Sequence, residues 1–175
     1  MRVSPIGLVY YKDLELAMQN AVRSSEVTHP HRVNGECCVI YTKLIVRTLN
    51  GAEKEDLAAE VANTTMAEAK VRDRFGRYQS IQDWINRDVD DIKSSGYVIS
   101  TLEAALWAFF TTESFYDGAV RVVNLGNDAD TVGAVYGGLA GAYYGIEEIP
   151  ARWIEGLQQR NVVDKIASDL AALGV

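Results

Sequence analysis

The chain has 175 residues, 48% of them apolar and 23% charged, the balance of an ordinary globular domain, which excludes a disordered or collagen-like chain. Seventeen basic against 24 acidic side chains give a net charge of −7. That balance removes any bulk attraction to nucleic acid and leaves only a local basic patch as a phosphate binder. The two cysteines, Cys37 and Cys38, are adjacent, so they are poorly placed to bridge each other, lack the C-x-x-C spacing of a metal clip, and read as reduced core residues. No basic segment followed by an apolar one opens the chain, which predicts no export signal and a cytoplasmic location. The uncharged run from Thr131 to Ile146 is shorter than the ~18 to 20 residues of a membrane span, so no membrane association is expected.

Helical spacing dominates, and no sustained period-two pattern or linker interrupts it, so the sequence predicts one all-α domain over residues 1–175. Leu14, Ala17, Met18, Ala21 and Val22 fall on one face, and Val39, Ile40, Leu44, Ile45 and Leu49 repeat that spacing before Asn50-Gly51 ends the helix. The Ala- and Glu-rich stretch from Glu53 to about Phe75 reads as one long helix, and Ser80 to Trp84 starts a short one. Ser100-Thr101-Leu102-Glu103 fits a capping box ahead of a buried helix through Ala104 to Phe110. Ser114 can cap a helix to about Val123. A loop follows, then a helix from about Thr131 to Tyr144, one opened by Pro150 and running to Leu157, and an amphipathic one from Val162 to Leu173.

The loop before the Thr131 helix, Asn124-Leu125-Gly126-Asn127-Asp128-Ala129-Asp130-Thr131, concentrates hard oxygens. Asp128, Asp130 and the Thr131 hydroxyl suit Mg²⁺, Mn²⁺ or Ca²⁺ and not Zn²⁺ or copper, which favour nitrogen and sulfur. Asp and Thr are also ordinary helix caps, and spacing alone leaves metal binding and capping both open. An EF-hand fails, because aligning Asp128 with its first ligand puts Val132 at the fifth position and Leu139 at the twelfth. At most three ligands come from this loop, so a cation there would draw the rest from water, substrate or elsewhere in the fold. Past it, Gly133, Gly137, Gly141 and Gly145 recur every four residues, with Ala134, Gly138 and Ala142 alongside. An interior helical glycine costs roughly 1 kcal/mol relative to alanine, which predicts a close helix crossing along that stripe.

Several ordered segments then resemble one family. Gly96-Tyr97-Val98, Thr101-Leu102 and Ala104 to Phe109, then Val123 to Thr131, then Gly137, Gly141-Ala142 and Gly145, and Ile149-Pro150-Ala151-Arg152-Trp153 are similar to the C-terminal part of the ADP-ribosylglycohydrolases, the family of dinitrogenase-reductase-activating glycohydrolase. Met1 to Gly7 and Thr28-His29-Pro30 resemble stretches from its middle. Nearly the whole chain is covered.

The resemblance implies an all-α orthogonal bundle, truncated at the N-terminus, with Mg²⁺ (or Mn²⁺) as cofactor. It also implies a hydrolase that removes ADP-ribose from a modified side chain or small acceptor. Asp128, Asp130 and Thr131 match the family's C-terminal metal ligands. His29 matches a histidine of the substrate cleft, and Gly96, Tyr97 and Val98 match a segment near the bound nucleotide. Without the resemblance, His29 reads as a histidine capping or satisfying a neighbouring backbone group and Tyr97 as an ordinary core or rim aromatic. The family's opening Gly-Asp-Ala-Leu-Gly-like segment and its Thr-Asp-Asp motif have no counterpart among these 175 residues; Asn63-Thr64-Thr65 and Asp88-Val89-Asp90-Asp91 stand in the wrong order and context. The catalytic acidic residue is therefore unassigned. The expectation has two branches, an active hydrolase or a catalytically incomplete remnant or split-enzyme subunit. Apolar surface left by the absent helices predicts self-association or a companion N-terminal chain.

Overall fold

In the computed structural model, residues 1–174 are described and form eleven α-helices with no strand among them. A helix that the apolar spacing does not announce opens the chain, α1 (Ser4–Val9), with Pro5 in its first turn, where a missing N–H is harmless. Helices α2 (Leu14–Glu26) and α3 (Arg32–Leu49) form a hairpin. Asp13 caps α2 by accepting from the Leu16 amide at 3.0 Å, and Ala17 and Ala21 let the two helices approach closely. Asn50 and Gly51 (φ 84°) end α3 as the sequence predicts.

The predicted long helix from Glu53 to Phe75 is instead two, α4 (Lys54–Asn63) and α5 (Ala69–Phe75). A tertiary contact makes the break. The Glu36 carboxylate, on α3, accepts the amides of Ala67 (2.9 Å) and Glu68 (3.0 Å), and Met66 turns into the core. Helical propensity in the Ala/Glu run is a few tenths of a kcal/mol per residue, less than these charge-assisted bonds.

Helix α6 (Ile81–Ile85) carries a Ser80/Asp83 capping box and buries Trp84, whose ring stacks on Tyr78 with centroids 3.6 Å apart. Helix α7 (Val98–Phe110) is the centre of the molecule, and every residue from Ile99 to Phe110 is buried. It begins two residues before Ser100, so the Ser100–Glu103 pattern is not a capping box. Glu103 lies 1% exposed in its second turn and takes Arg74 (2.5 Å) and the Tyr78 hydroxyl (2.7 Å), which fastens α5 to α7.

Ser114 caps α8 (Phe115–Val123) through the Asp117 amide. Helix α9 (Ala129–Tyr144) packs against α7, α8 and α3. The glycine stripe along it is not a helix crossing, because β-carbons added at Gly137 and Gly141 would meet no atom within 4 Å. Close approach occurs one residue away, at Gly138, against Tyr41 and Ser4. Short α10 (Ala151–Glu155) and α11 (Arg160–Leu173) bury no residue, and α11 rests on α1. No described helix is long and apolar enough to cross a membrane.

Candidate functional site

A cavity of about 690 Å³ opens where the start of α1, the α2–α3 hairpin, the turn before α7 and the start of α9 converge. His29, Gly96, Tyr97, Val98, Asp128 and Thr131 all line it. Asp130 does not; it stands exposed in the first turn of α9. Helical geometry gives the reason, since residues three apart share a face and residues two apart do not.

Asp128 occupies the position ahead of α9 but makes no side-chain cap bond to that helix. Its carboxylate Oδ1 instead accepts the Thr131 hydroxyl at 2.9 Å. The approach to Asp128 is left-handed, with Gly126 at φ 71° and Asn127 at φ 51°, a conformation that asparagine tolerates better than most residues. On the other side, the Ser94–Tyr97 turn lies against it. The Ser94 hydroxyl donates to the Gly126 carbonyl at 2.8 Å, and a β-carbon on Gly96 would sit 3.0 Å from Asp128 Oδ2. Thr101 steadies that turn by donating to the carbonyl of Ser95 at 2.8 Å.

Across the cavity, the Thr28 hydroxyl accepts from the Arg2 guanidinium at 2.9 Å and meets His29 Nδ1 at 2.9 Å. His29 is not the helix cap. That task falls to His31, whose Nδ1 accepts the Val33 amide at 3.2 Å at the start of α3. Both histidines, Arg2 and Lys70 line the cavity, and Asp128 is the sole carboxylate among the lining residues. In a chain of charge −7 this is a locally cationic wall, suited to a phosphorylated ligand. Cys37 and Cys38 complete the wall as free thiols, both pushed up from the usual thiol range by burial. Tyr97 is 46% exposed at the mouth, so its ring is open for stacking.

Asp128 and Thr131 offer adjacent hard oxygens with no competing cap bond, and they fit one face of an oxygen-ligated cation. Among the described residues no cluster of three or more His, Cys, Asp and Glu side chains could complete it. Arg2, Lys70, Ser94 and Cys38 are parts of this region that the sequence does not mark. Ser94 is two residues from Gly96, yet nothing in the spacing says that this turn meets Gly126.

An all-α bundle whose cavity gathers loops from four separate segments defines the class, and comparison with known proteins gives the family. The family model for ADP-ribosylglycohydrolase matches residues 1–175, and the chain belongs to that family. It is 33% identical over 170 residues to the ADP-ribosylarginine hydrolase Tri1 of Pseudomonas putida (strain GB-1), covering 97% of this chain and 44% of that protein. It is 28% identical over 155 residues to the ADP-ribosyl-[dinitrogen reductase] glycohydrolase of Rhodospirillum rubrum, covering 86% of this chain and 48% of that one. A solved structure, an ADP-ribosylglycohydrolase-related protein complex, superposes with a TM-score of 0.75 at 34% identity over 97% of this chain and 57% of its own. The chain thus spans about half the length of the curated relatives it matches.

Proposed function

We propose that these residues form the C-terminal half of an ADP-ribosylglycohydrolase active site, working in the cytoplasm on an ADP-ribosylated side chain or small molecule. In this reading the loop ahead of α9 holds one Mg²⁺ or Mn²⁺, and His29, Gly96, Tyr97 and Val98 bind the ADP-ribose. The observation that carries it is that His29, Gly96, Tyr97, Val98, Asp128 and Thr131 line one cavity, with the Asp128 carboxylate on the Thr131 hydroxyl and not on the amides that open α9. Asp128 and Thr131 face that cavity; Asp130 enters on its sequence position.

A bound cation would polarise the glycosidic linkage and activate water. This chain's own residues would do the rest. Arg2 and Lys70 would meet the diphosphate. The Tyr97 ring would offer a face to the base. His29, held at Nδ1 by Thr28, would present its other ring nitrogen to a ligand oxygen.

A second reading shares this site but not its turnover: the chain is a remnant or split-enzyme subunit that binds cation or ADP-ribose without hydrolysis. Open space at Gly137 and Gly141, and apolar side chains left exposed elsewhere such as Leu8, Val123 and Ile146, support a companion chain or a second copy as partner.

Titration calorimetry with Mn²⁺, Mg²⁺ and ADP-ribose on the wild type, Asp128→Ala and Asp130→Ala is the test. The expected result is modest metal affinity, lost in Asp128→Ala, and ADP-ribose binding that weakens with it. Equal heats in all three proteins would overturn the metal assignment.

A further inference from the structure

Two left-handed residues in succession, Gly126 and Asn127, are an unstable way to enter a helix. Glycine takes that conformation freely, but for other residues it costs roughly 1 to 3 kcal/mol and persists only where the surroundings over-determine it. Beyond the local bonds of the Leu125 and Gly126 amides to Val122 and Val123, the turn is held by one residue, through its hydroxyl and its own carbonyl. Ser94 is 2% exposed. Its hydroxyl donates to the Gly126 carbonyl at 2.8 Å, and its own carbonyl accepts the Asp128 amide at 3.3 Å. The two bonds grip the turn on either side of Asn127, from a segment more than thirty residues away in sequence.

What the grip controls is the aim of one carboxylate. Asp128 spends no oxygen on the amides that open α9. Its side-chain direction is fixed by the hydroxyl of Thr131, in the first turn of α9, on one oxygen and by the bare α-carbon of Gly96 beside the other. Gly96 belongs to the same turn as Ser94, and Thr101 ties that turn to α7 through the carbonyls of Ser95 (2.8 Å) and Tyr97 (3.3 Å). A rigid path therefore runs from the most buried helix of the molecule, through Ser94, to Asp128.

The geometry points to Ser94 as a positioning residue: it aims the Asp128 carboxylate into the cavity and thereby sets the divalent-cation affinity of the site, without touching cation or substrate. This rests on the proposed reading of Asp128 as a ligand. A residue that only satisfied buried polar groups would change stability and leave the turn and the affinity as they are.

Ser94→Ala, Ser94→Thr and Asp128→Ala are compared with the wild type in two measurements. In metal-free protein, NMR follows the amide shifts and hydrogen exchange of Gly126, Asn127 and Asp128 against the α7 amides. Ser94→Ala is expected to speed exchange at Asp128 by about tenfold, the size of one hydrogen bond, with the α7 amides unchanged and Ser94→Thr restoring the wild-type rate. Mn²⁺ titration by water-proton relaxation then reads affinity, expected to weaken by about ten- to a hundredfold in Ser94→Ala, as for partners behind metal ligands elsewhere, at a nearly unchanged melting temperature. Unaltered exchange and shifts in Ser94→Ala would overturn the role assigned to Ser94, as would an unaltered Mn²⁺ affinity beside a weakened Asp128→Ala. Indifference of Mn²⁺ to Asp128→Ala would instead remove Asp128 as a ligand, and with it the effect of Ser94 on affinity, while the metal-free exchange still decides whether Ser94 holds the turn.

Discussion

The phenolic oxygen of Tyr41 occupies the space where a β-carbon on Gly138 would lie. From there it donates to the Val135 carbonyl at 2.8 Å and meets the Ser4 hydroxyl at 3.2 Å, so α1, α3 and α9 are joined at one point. Gly138→Ala forces Tyr41 out and leaves buried polar groups unpaired, at about 2 kcal/mol or more from overpacking and the lost bond. Gly137→Ala and Gly141→Ala fill open space and gain helix propensity of up to about 1 kcal/mol. Urea unfolding of the three variants should therefore give opposite signs, and a common sign would contradict the packing described.

Alkaline sensitivity follows from the same tyrosine. Burial pushes the Tyr41 phenol up from 10.0 to about 12. The folded state thus favours the protonated form, and the resulting stability is whole below the unfolded pKa and disappears as pH rises towards the folded one. Two pH units correspond to roughly 3 kcal/mol. The unfolding midpoint should fall between about pH 9 and about pH 12, and Tyr41→Phe, which has no proton to lose, should lessen that fall. An identical pH dependence in both proteins would count against it.

Arg74 and Glu103 provide a test of the interior. Glu103 is 1% exposed and paired at 2.5 Å with Arg74. Arg74→Met strands a buried carboxylate and should cost about 3 kcal/mol. Glu103→Gln keeps the shape and an acceptor for Tyr78, so it should cost less. Chemical denaturation ranks the two; a harmless Arg74→Met would mean that Glu103 is adequately served by Tyr78 alone.

Turnover is the fourth expectation. Loss of a general acid or base lowers rates by ~10² to 10⁴, and loss of a polarising cation adds to the barrier. These 175 residues alone should hydrolyse ADP-ribosylated substrates little or not at all in millimolar Mg²⁺. A segment carrying the Gly-Asp and Thr-Asp-Asp motifs, supplied by fusion or in trans, should raise the rate in an Asp128-dependent way. Robust turnover by the purified chain alone would reverse this expectation and bring His29 and carboxylates such as Asp90 or Asp91 into consideration.

The helices are legible wherever one face is apolar. The ladders from Leu14 to Val22 and from Val39 to Ile45, the Ser114 cap and the Asn50-Gly51 stop each have a local cause, and each stands as the spacing predicts; Leu49, the last member of the second ladder, is exposed at the end of α3. Failures occur where a distant group intervenes. Glu36 breaks the Ala/Glu helix, and Glu103 looks like a capping residue until Arg74 and Tyr78 claim it. Periodicity also groups Gly133, Gly137 and Gly141 on one face with Gly138 alongside, without saying which of them is crowded; it is Gly138, and Gly137 and Gly141 face open space. At the site, the pair Asp128 and Thr131 is visible as a pattern, but Asp130 shares that pattern and not the cavity. Ser94 has no pattern at all, because its partner lies across a turn whose left-handed backbone only the folded chain displays.

Both thiols of the chain sit in the cavity wall, one on each of two successive residues of α3. A sulfhydryl reagent added to the native protein therefore has no target elsewhere on the surface. Labelling rate becomes an occupancy gauge: any molecule filling the cavity slows modification of Cys38, which is partly exposed, ahead of the buried Cys37. Mass spectrometry of the modified protein could then screen nucleotides and cations for entry without a catalytic assay.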